Sequence, residues 1–388
     1  MGILLLIGVE IARVYYIMPF PGSQVDETIA LAYFIQTYIW LFRIAGVLLI
    51  AYPAIYYIKG GSPAIRWTVV AILIFWVMVV YAFNFRFLAD KMFYQPDHKI
   101  LVKADQNKLP KSKLVIGVSL NGVSKAYPIE VIGYHHQVRD TIGGEAVMIT
   151  YCTVCRTGRV FSPFVSSQPE RFRLVGMDHF NAMFEDSRTK SWWRQVNGEA
   201  IAGSLKGERL RELPSEQMAL GVWLMLHPDS FILQPDSSFK QQYTGLDKYD
   251  EGKMEGSLER HDTLSWKDKS WVIGVSIGPK ARAYDWNDLK KHHVINDRIG
   301  DQFIAVVLEG DTASFHVWNR ILGGDTTQFV YNDSTKMLTD KKSNASWNLS
   351  GQCLSGKLAG AKLDPVQAYQ EYWHSWRTFH PQTEKFQP

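Results

Sequence analysis

The stretch Leu114-Val115-Ile116-Gly117-Val118-Ser119-Leu120-Asn121-Gly122-Val123-Ser124-Lys125-Ala126-Tyr127-Pro128 decides the fold. Alternating β-branched residues around Asn-Gly are a strong hairpin signal, because a two-residue turn matching the strands' twist needs positive φ at both central positions. The stretch returns downstream. Ile116-Gly117-Val118-Ser119 recurs as Ile273-Gly274-Val275-Ser276, an offset of 157 (273 − 116). At that offset Ala126-Tyr127, His135-His136, Asp140 and Gly143 recur as Ala283-Tyr284, His292-His293, Asp297 and Gly300. Later an offset of 153 (351 − 198) pairs Gly198 with Gly351, and Gly203-x-Leu205-x-Gly207-x-x-Leu210 with Gly356-x-Leu358-x-Gly360-x-x-Leu363. It also pairs Trp223 and His227-Pro228 with Trp376 and His380-Pro381. Two copies of one fold need the same packing and turn residues, so the pattern predicts a β-rich α+β chain with two tandem, similar lobes.

Working outward, short helices are expected over residues 129–134 and 286–291, each ending at paired histidines. A turn over 140–144 leads into a strand over 146–151, and further strands are expected over 171–176 and 182–184. Residues 215–226 read as a helix with Ser215 as N-cap. The expected organisation is an anchor over 1–90, a linker over 91–112, lobe one over 113–236, a connector over 237–269 and lobe two over 270–388.

The first ninety residues differ in composition. Apolar runs over 3–20, 30–58 and 67–85 approach or exceed the ~20 residues that span a bilayer, which predicts a three-helix transmembrane anchor. Glu10, Arg13 and Arg43 interrupt the first two runs and are expected to pair within the bundle. Asp26 and Glu27 occupy the first loop, Lys59 and Arg66 the second. The positive-inside rule therefore makes the second loop cytoplasmic and the region after about Asp90 extracytoplasmic, on an inner membrane. The expected partners are the membrane and other membrane or periplasmic proteins. A net charge of +4, spread evenly, argues against nucleic acid.

Chemistry concentrates in the first copy. Cys152-Thr153-Val154-Cys155 ends a strand, and at the first offset Glu309 and Thr312 stand in place of the two cysteines. A redox dithiol needs a stabilised thiolate, which Arg156 and Arg159 can favour, although no good helix follows Cys155. A copper, iron or zinc site needs further ligands, with His135, His136, His179 and His227 as candidates. The third reading is a structural staple in a non-catalytic assembly or ligand-binding module. Asn181, Asp186, Arg188, Trp193 and Gln195 are candidates for a polar cleft with an aromatic wall; the alternative is a turn ion pair on a packed tryptophan. Cys353 aligns with Ala200 and reads as a buried small side chain. No phosphate-binding glycine loop and no Gly-x-Ser-x-Gly elbow occurs, which sets aside nucleotide and triad-hydrolase chemistry.

Thr150-Tyr151-Cys152-x-x-Cys155, then Asp186-x-x-Thr189-x-Ser191-x-Trp193-x-Gln195, then Trp223 and His227-Pro228, together resemble the prokaryotic domain-of-unknown-function family 3179 over roughly residues 95–330. In that family the cysteine motif usually reads Tyr-Cys-Pro-Leu-Cys-Gly, a knuckle like those of zinc ribbons. Thr153 and Arg156 replace its proline and glycine here, and His135-His136 replaces its His-Glu. The resemblance implies a fold and no settled activity.

Overall fold

The computed structural model describes residues 1–96 and 98–387. Its contacts define two compact units, Met1–Tyr94 with Phe164–Leu210 and Gln95–Pro163 with Arg211–Pro388.

The first unit begins with helices α1 (Gly2–Tyr15), α2 (Ile29–Gly60), α3 (Pro63–Phe85) and α4 (Ala89–Met92). Two of them, α2 and α3, are long and apolar enough to cross a membrane. The expected first span over 3–20 is shorter than the sequence suggests. It is helical for 14 residues, about 21 Å of rise against a ~30 Å hydrocarbon layer. Pro19 disfavours helix in the residue before it, and the chain turns there. Polar groups hold the three helices together. Arg43 grips the Glu10 carboxylate through Nε at 2.6 Å and a terminal nitrogen at 3.0 Å. Asn84 donates to Glu10 at 3.0 Å and accepts from Arg13 and Arg43, each at 2.8 Å. The outward faces of α2 and α3 expose Trp40, Leu48, Tyr52, Phe75 and Val77.

The second unit starts with β1 (Ile100–Lys103), β2 (Leu114–Leu120), β3 (Val123–Pro128), helix α5 (Ile129–His135), β4 (Gln137–Ile142), β5 (Glu145–Cys152) and β6 (Thr157–Phe161). Asn121 and Gly122 form the β2–β3 turn at φ 50° and 78°. The chain then supplies β7 (Phe164–Val165), β8 (Gln168–Pro169), β9 (Phe172–Asp178), β10 (Asn181–Asp186), β11 (Trp192–Arg194) and β12 (Ala200–Ala202) to the first unit. Within that unit Met177 N donates to Ile17 O at 2.6 Å, Phe180 N to Gln24 at 3.2 Å, and Tyr33 packs edge-on against Trp192. These contacts make 164–210 cluster with the helices, so the compact units divide the stretch expected as lobe one.

Back in the second unit come β13 (Glu216–Ala219), α6 (Leu220–Leu226), β14 (Phe231–Gln234) and α7 (Lys240–Thr244). Then follow β15 (Trp271–Ile277), β16 (Lys280–Asp285), α8 (Trp286–His292), β17 (Val294–Ile299), β18 (Gln302–Leu308) and β19 (Phe315–Asn319). Short strands β20 (Ile321–Leu322), β21 (Asp325–Thr326), β22 (Phe329–Asn332), β23 (Met337–Asp340) and β24 (Ser346–Trp347) precede β25 (Ala368–Tyr372), α9 (Trp373–Phe379) and β26 (Glu384–Lys385). The helix expected over 215–226 is half strand. Residues 216–219 close the sheet edge with Gln217 opposite Ile116, and only then does the chain turn helical behind Ala219. A full ladder of backbone bonds outweighs helix propensity there.

Two sheets carry the repeated sequence, in the orders β1-β14-β3-β2-β13 and β25-β15-β16-β26. Gln217 opposes Ile116 as Gln370 opposes Ile273, and Thr150 opposes Arg159 as Val307 opposes His316. Tyr127 and Tyr284 each donate to an aspartate at 2.7 Å, Asp140 and Asp297. Helices α5 and α8 each stop at a left-handed histidine, His136 at φ 58° and His293 at φ 57°. Both central glycines lie under a tryptophan: a Cβ at Gly117 would stand 2.2 Å from the Trp223 ring, and one at Gly274 2.2 Å from Trp376. Gly117→Ala and Gly274→Ala should therefore each destabilise the protein by about 1–3 kcal/mol. Thermal unfolding of the two variants checks this, and an unchanged melting temperature in either contradicts the packing.

Candidate functional site

Cys152 closes β5, and Thr153, Val154, Cys155 and Arg156 turn the chain into β6, with Arg156 left-handed at φ 57°. Neither cysteine is in a disulfide, and the two are fully buried and within 4.1 Å of each other. Distant sequence grips the carbonyls of this knuckle. Tyr249 Oη donates to Thr153 O at 2.8 Å, Lys269 Nζ to Val154 O at 2.6 Å, and Tyr372 N to Cys155 O at 3.0 Å. Arg156 stacks over Trp271 at 4.0 Å and donates through Nε to Gln370 at 2.9 Å.

Burial, with the hydrogen bond to Cys152 adding to it, pushes the Cys155 thiol well above its ordinary range. The Lys269 ammonium and the Ser375 hydroxyl pull the other way. Burial in turn depresses Lys269, while the two thiols and Glu259 support its charge. His374 lies 3.3 Å from Lys269 Nζ. Its Nε2 also lies 3.3 Å from Val154 O, so the ring reaches both the ammonium and the knuckle carbonyl. Burial, reinforced by Lys269 and Arg377, pushes this imidazole down to about 3, so it is neutral. The arrangement is a dithiol with a cation, a neutral base and a hydroxyl beside it. Its resting state is protonated and slow to react.

The next strand adds a second buried cation. Arg159 pairs with Glu371, lies 3.7 Å from Glu212 and covers the Tyr369 ring at 3.4 Å. Its counterpart at the offset of 157 is His316 (316 − 157 = 159), which contacts Glu309 at 3.1 Å and Glu216 at 3.7 Å. Glu309 in turn stands where copy one has Cys152 (309 − 157 = 152).

The expected ligand histidines are occupied elsewhere. His135 bonds Tyr243 Oη at 2.6 Å, His136 bonds Tyr151 O at 3.0 Å, and His227 stacks on Trp223. His179 belongs to the first unit, where it bonds Asp178 at 2.7 Å. Among the described residues no group of three or more His, Cys, Asp or Glu side chains is placed to hold a metal ion. The cleft candidates, also in the first unit, mostly serve their own turns. Asp186 accepts from Thr189 N and Oγ1, Ser191 N and Trp193 Nε1. Partial burial raises this carboxyl, yet those bonds hold it below the usual range. Asn181 and Gln195 bond each other at 2.9 Å, and Arg188 donates to Val165 O.

Lys269, His374, Ser375 and Glu371 carry no sequence pattern linking them to the cysteines. At the offset of 153, Gly221 and Val222 stand in the places of His374 and Ser375 (374 − 153 = 221).

Residues 95–383 match the sequence profile of a family described as a protein of unknown function, DUF3179, further along the chain than the motifs alone reach. No curated protein and no solved structure matches.

Two outcomes follow from the buried charges. Glu371→Ala leaves the Arg159 guanidinium buried without its partner and should cost about 3–5 kcal/mol, read by chemical unfolding. Burial alone would depress His316, but Glu216 and Glu309 outweigh it and push the imidazole up to about 9. Its contribution is thus complete below the ordinary histidine pKa of about 6.5 and is lost as pH rises through about 9. Melting temperature should fall across that window in the wild type, and the fall should shrink in His316→Gln.

Proposed function

For a chain that belongs to the DUF3179 family, whose description states no activity, we propose a membrane-anchored, extracytoplasmic protein with a thiol redox centre at Cys152 and Cys155. The observation that carries this reading is the buried thiol pair within 4.1 Å, with Lys269 and Ser375 acting on Cys155. A disulfide needs its sulfurs at about 2.05 Å, so oxidation requires closure of a clamped turn rather than refolding. In the exchange a partner's disulfide is the oxidant. One cysteine loses its proton and attacks one sulfur of that disulfide, breaking its S–S bond and releasing the other sulfur as a thiolate. The second cysteine then attacks the mixed disulfide and displaces the remaining partner sulfur, so the partner leaves as two thiols. Two electrons and two protons leave the knuckle. Lys269 stabilises the attacking thiolate, and the thiol proton leaves to solvent or to the partner's departing sulfur. The copper, iron or zinc alternative has less support, because the four candidate histidines have other partners and two thiolates are half a tetrahedral shell.

Three features support a duplicated outer region: the paired registers, the left-handed histidines and the glycine-under-tryptophan contacts. The orientation rests on the bases Lys59, in the last turn of α2, and Arg66, in the first turn of α3, and α1 joins the anchor through Glu10 rather than by length. An alkaline-phosphatase fusion at the C-terminus should be active; an inactive fusion with an active cytoplasmic reporter contradicts this topology.

The redox reading is tested on the full chain in detergent, equilibrated against thiol buffers and then alkylated. Cys152 and Cys155 should convert together to a disulfide, with Cys353 unchanged, and Lys269→Met should slow the exchange. Failure to oxidise overturns the reading. A staple is favoured by one observation, the clamped carbonyls. It predicts that Cys152→Ser with Cys155→Ser simply unfolds the protein.

A further inference from the structure

A cavity of about 280 Å³ lies in the second unit between β13, β19 and the residues that lead into β25. Its size suits a small organic molecule at the lower end of ligand pockets. One wall is apolar, with Phe315, Trp318 and the prolines Pro214 and Pro365. The polar wall carries Glu216 and His316, with Glu309 directly behind His316 at 3.1 Å. No lysine or arginine lines the cavity among the described residues. Whether the imidazole is charged or neutral, two carboxylates against one histidine leave this group with excess negative charge. The Glu216 side chain is 42% exposed, so it is the group that a visitor meets.

A second observation points to the other end of a ligand. A void of about 10 Å³ shares Ser215, Glu216, Gln217, Gln367 and Ala368 with the cavity, and Gln370 lines it. The Gln370 carboxamide is 1% exposed, and its oxygen accepts from both Arg156 Nε and Gln217 Nε2, each at 2.9 Å. Two donors on the oxygen fix the amide's orientation. Its Nε2 is then a buried donor with no partner, an arrangement that costs about 1–3 kcal/mol until an acceptor arrives.

We propose that this cavity is a binding site for a small organic amine that also carries a carbonyl or hydroxyl acceptor. The ammonium pairs with Glu216, the apolar body lies against Phe315 and Trp318, and the acceptor reaches toward Gln370 Nε2. Anionic compounds of the same shape are rejected by the carboxylates. The site does not rest on the thiol reading, since no cysteine lines it.

Phenylalaninamide is a suitable probe and N-acetylphenylalanine its anionic control, both titrated into the full chain in detergent by calorimetry. The amide should bind saturably and the anion should not. Glu216→Gln, close in shape, should still fold, losing only the share of stability that Glu216 lends to His316, and should weaken the amide by about tenfold, the scale of one partly desolvated ion pair. Ser119→Trp, placed on the cavity wall, should abolish binding. Absence of saturable binding by the amide, equal binding of the anion, or an affinity unchanged in Glu216→Gln would each overturn the site. Replacing both cysteines with serine should leave the titration unaltered, which separates this outcome from the fate of the redox centre.

Discussion

Arg156 and Arg159 are two guanidinium groups buried to the last few hundredths of their surface, in the same hairpin that carries the cysteines. A buried cation without partners is prohibitive, so the rest of the second unit must surround them. It does so with groups far away in sequence. Gln370, Trp271 and the Tyr249 carbonyl take Arg156, while Glu371 and Tyr369 take Arg159. Strand β25 is therefore fixed against β6, and Tyr372 N on that strand caps Cys155 O. The shape of the thiol site is a consequence of satisfying these two charges.

The two repeated sheets meet at equivalent edges. Gln217 of β13 bonds Gln370 of β25, and the Gln367 amide bridges the backbone of Ser215 in both directions. At equivalent depth on either side stand Arg159 and His316, each reaching a carboxylate on the other sheet's edge strand, Glu371 and Glu216. The two hairpin ends differ in chemistry. In the first copy the hairpin end carries soft, neutral thiols. In the second it carries Glu309 bonded to His316, with Ser350 donating to the same carboxylate. On both sides Trp223 and Trp376 cover Gly117 and Gly274, and Tyr127 and Tyr284 donate to Asp140 and Asp297.

The helical unit obeys the same rule in apolar surroundings. Glu10 is fully buried, and its carboxylate gathers Arg43, Asn84 and Arg13 from three helices. Such a network holds a short helix against two long ones where apolar packing alone offers no preference for register.

The hairpins, the histidine-ended helices and the apolar helices α2 and α3 were legible in the sequence, because each follows from local turn chemistry, periodicity or an uninterrupted apolar run. The strand over 216–219 was not, since its ladder partner lies a hundred residues away and only that pairing makes it a strand. The clustering of residues 164–210 with the helices was decided likewise by packing. At the candidate site the sequence determined the cysteines and their absence from the second copy. Lys269, His374, Ser375 and Glu371 were supplied by tertiary structure alone. The physical reason is that a side chain's electrostatic environment is set by distance in space. Nothing along the chain records that a lysine in the connector will donate to the carbonyl between two cysteines until the buried arginines have drawn β25 into place.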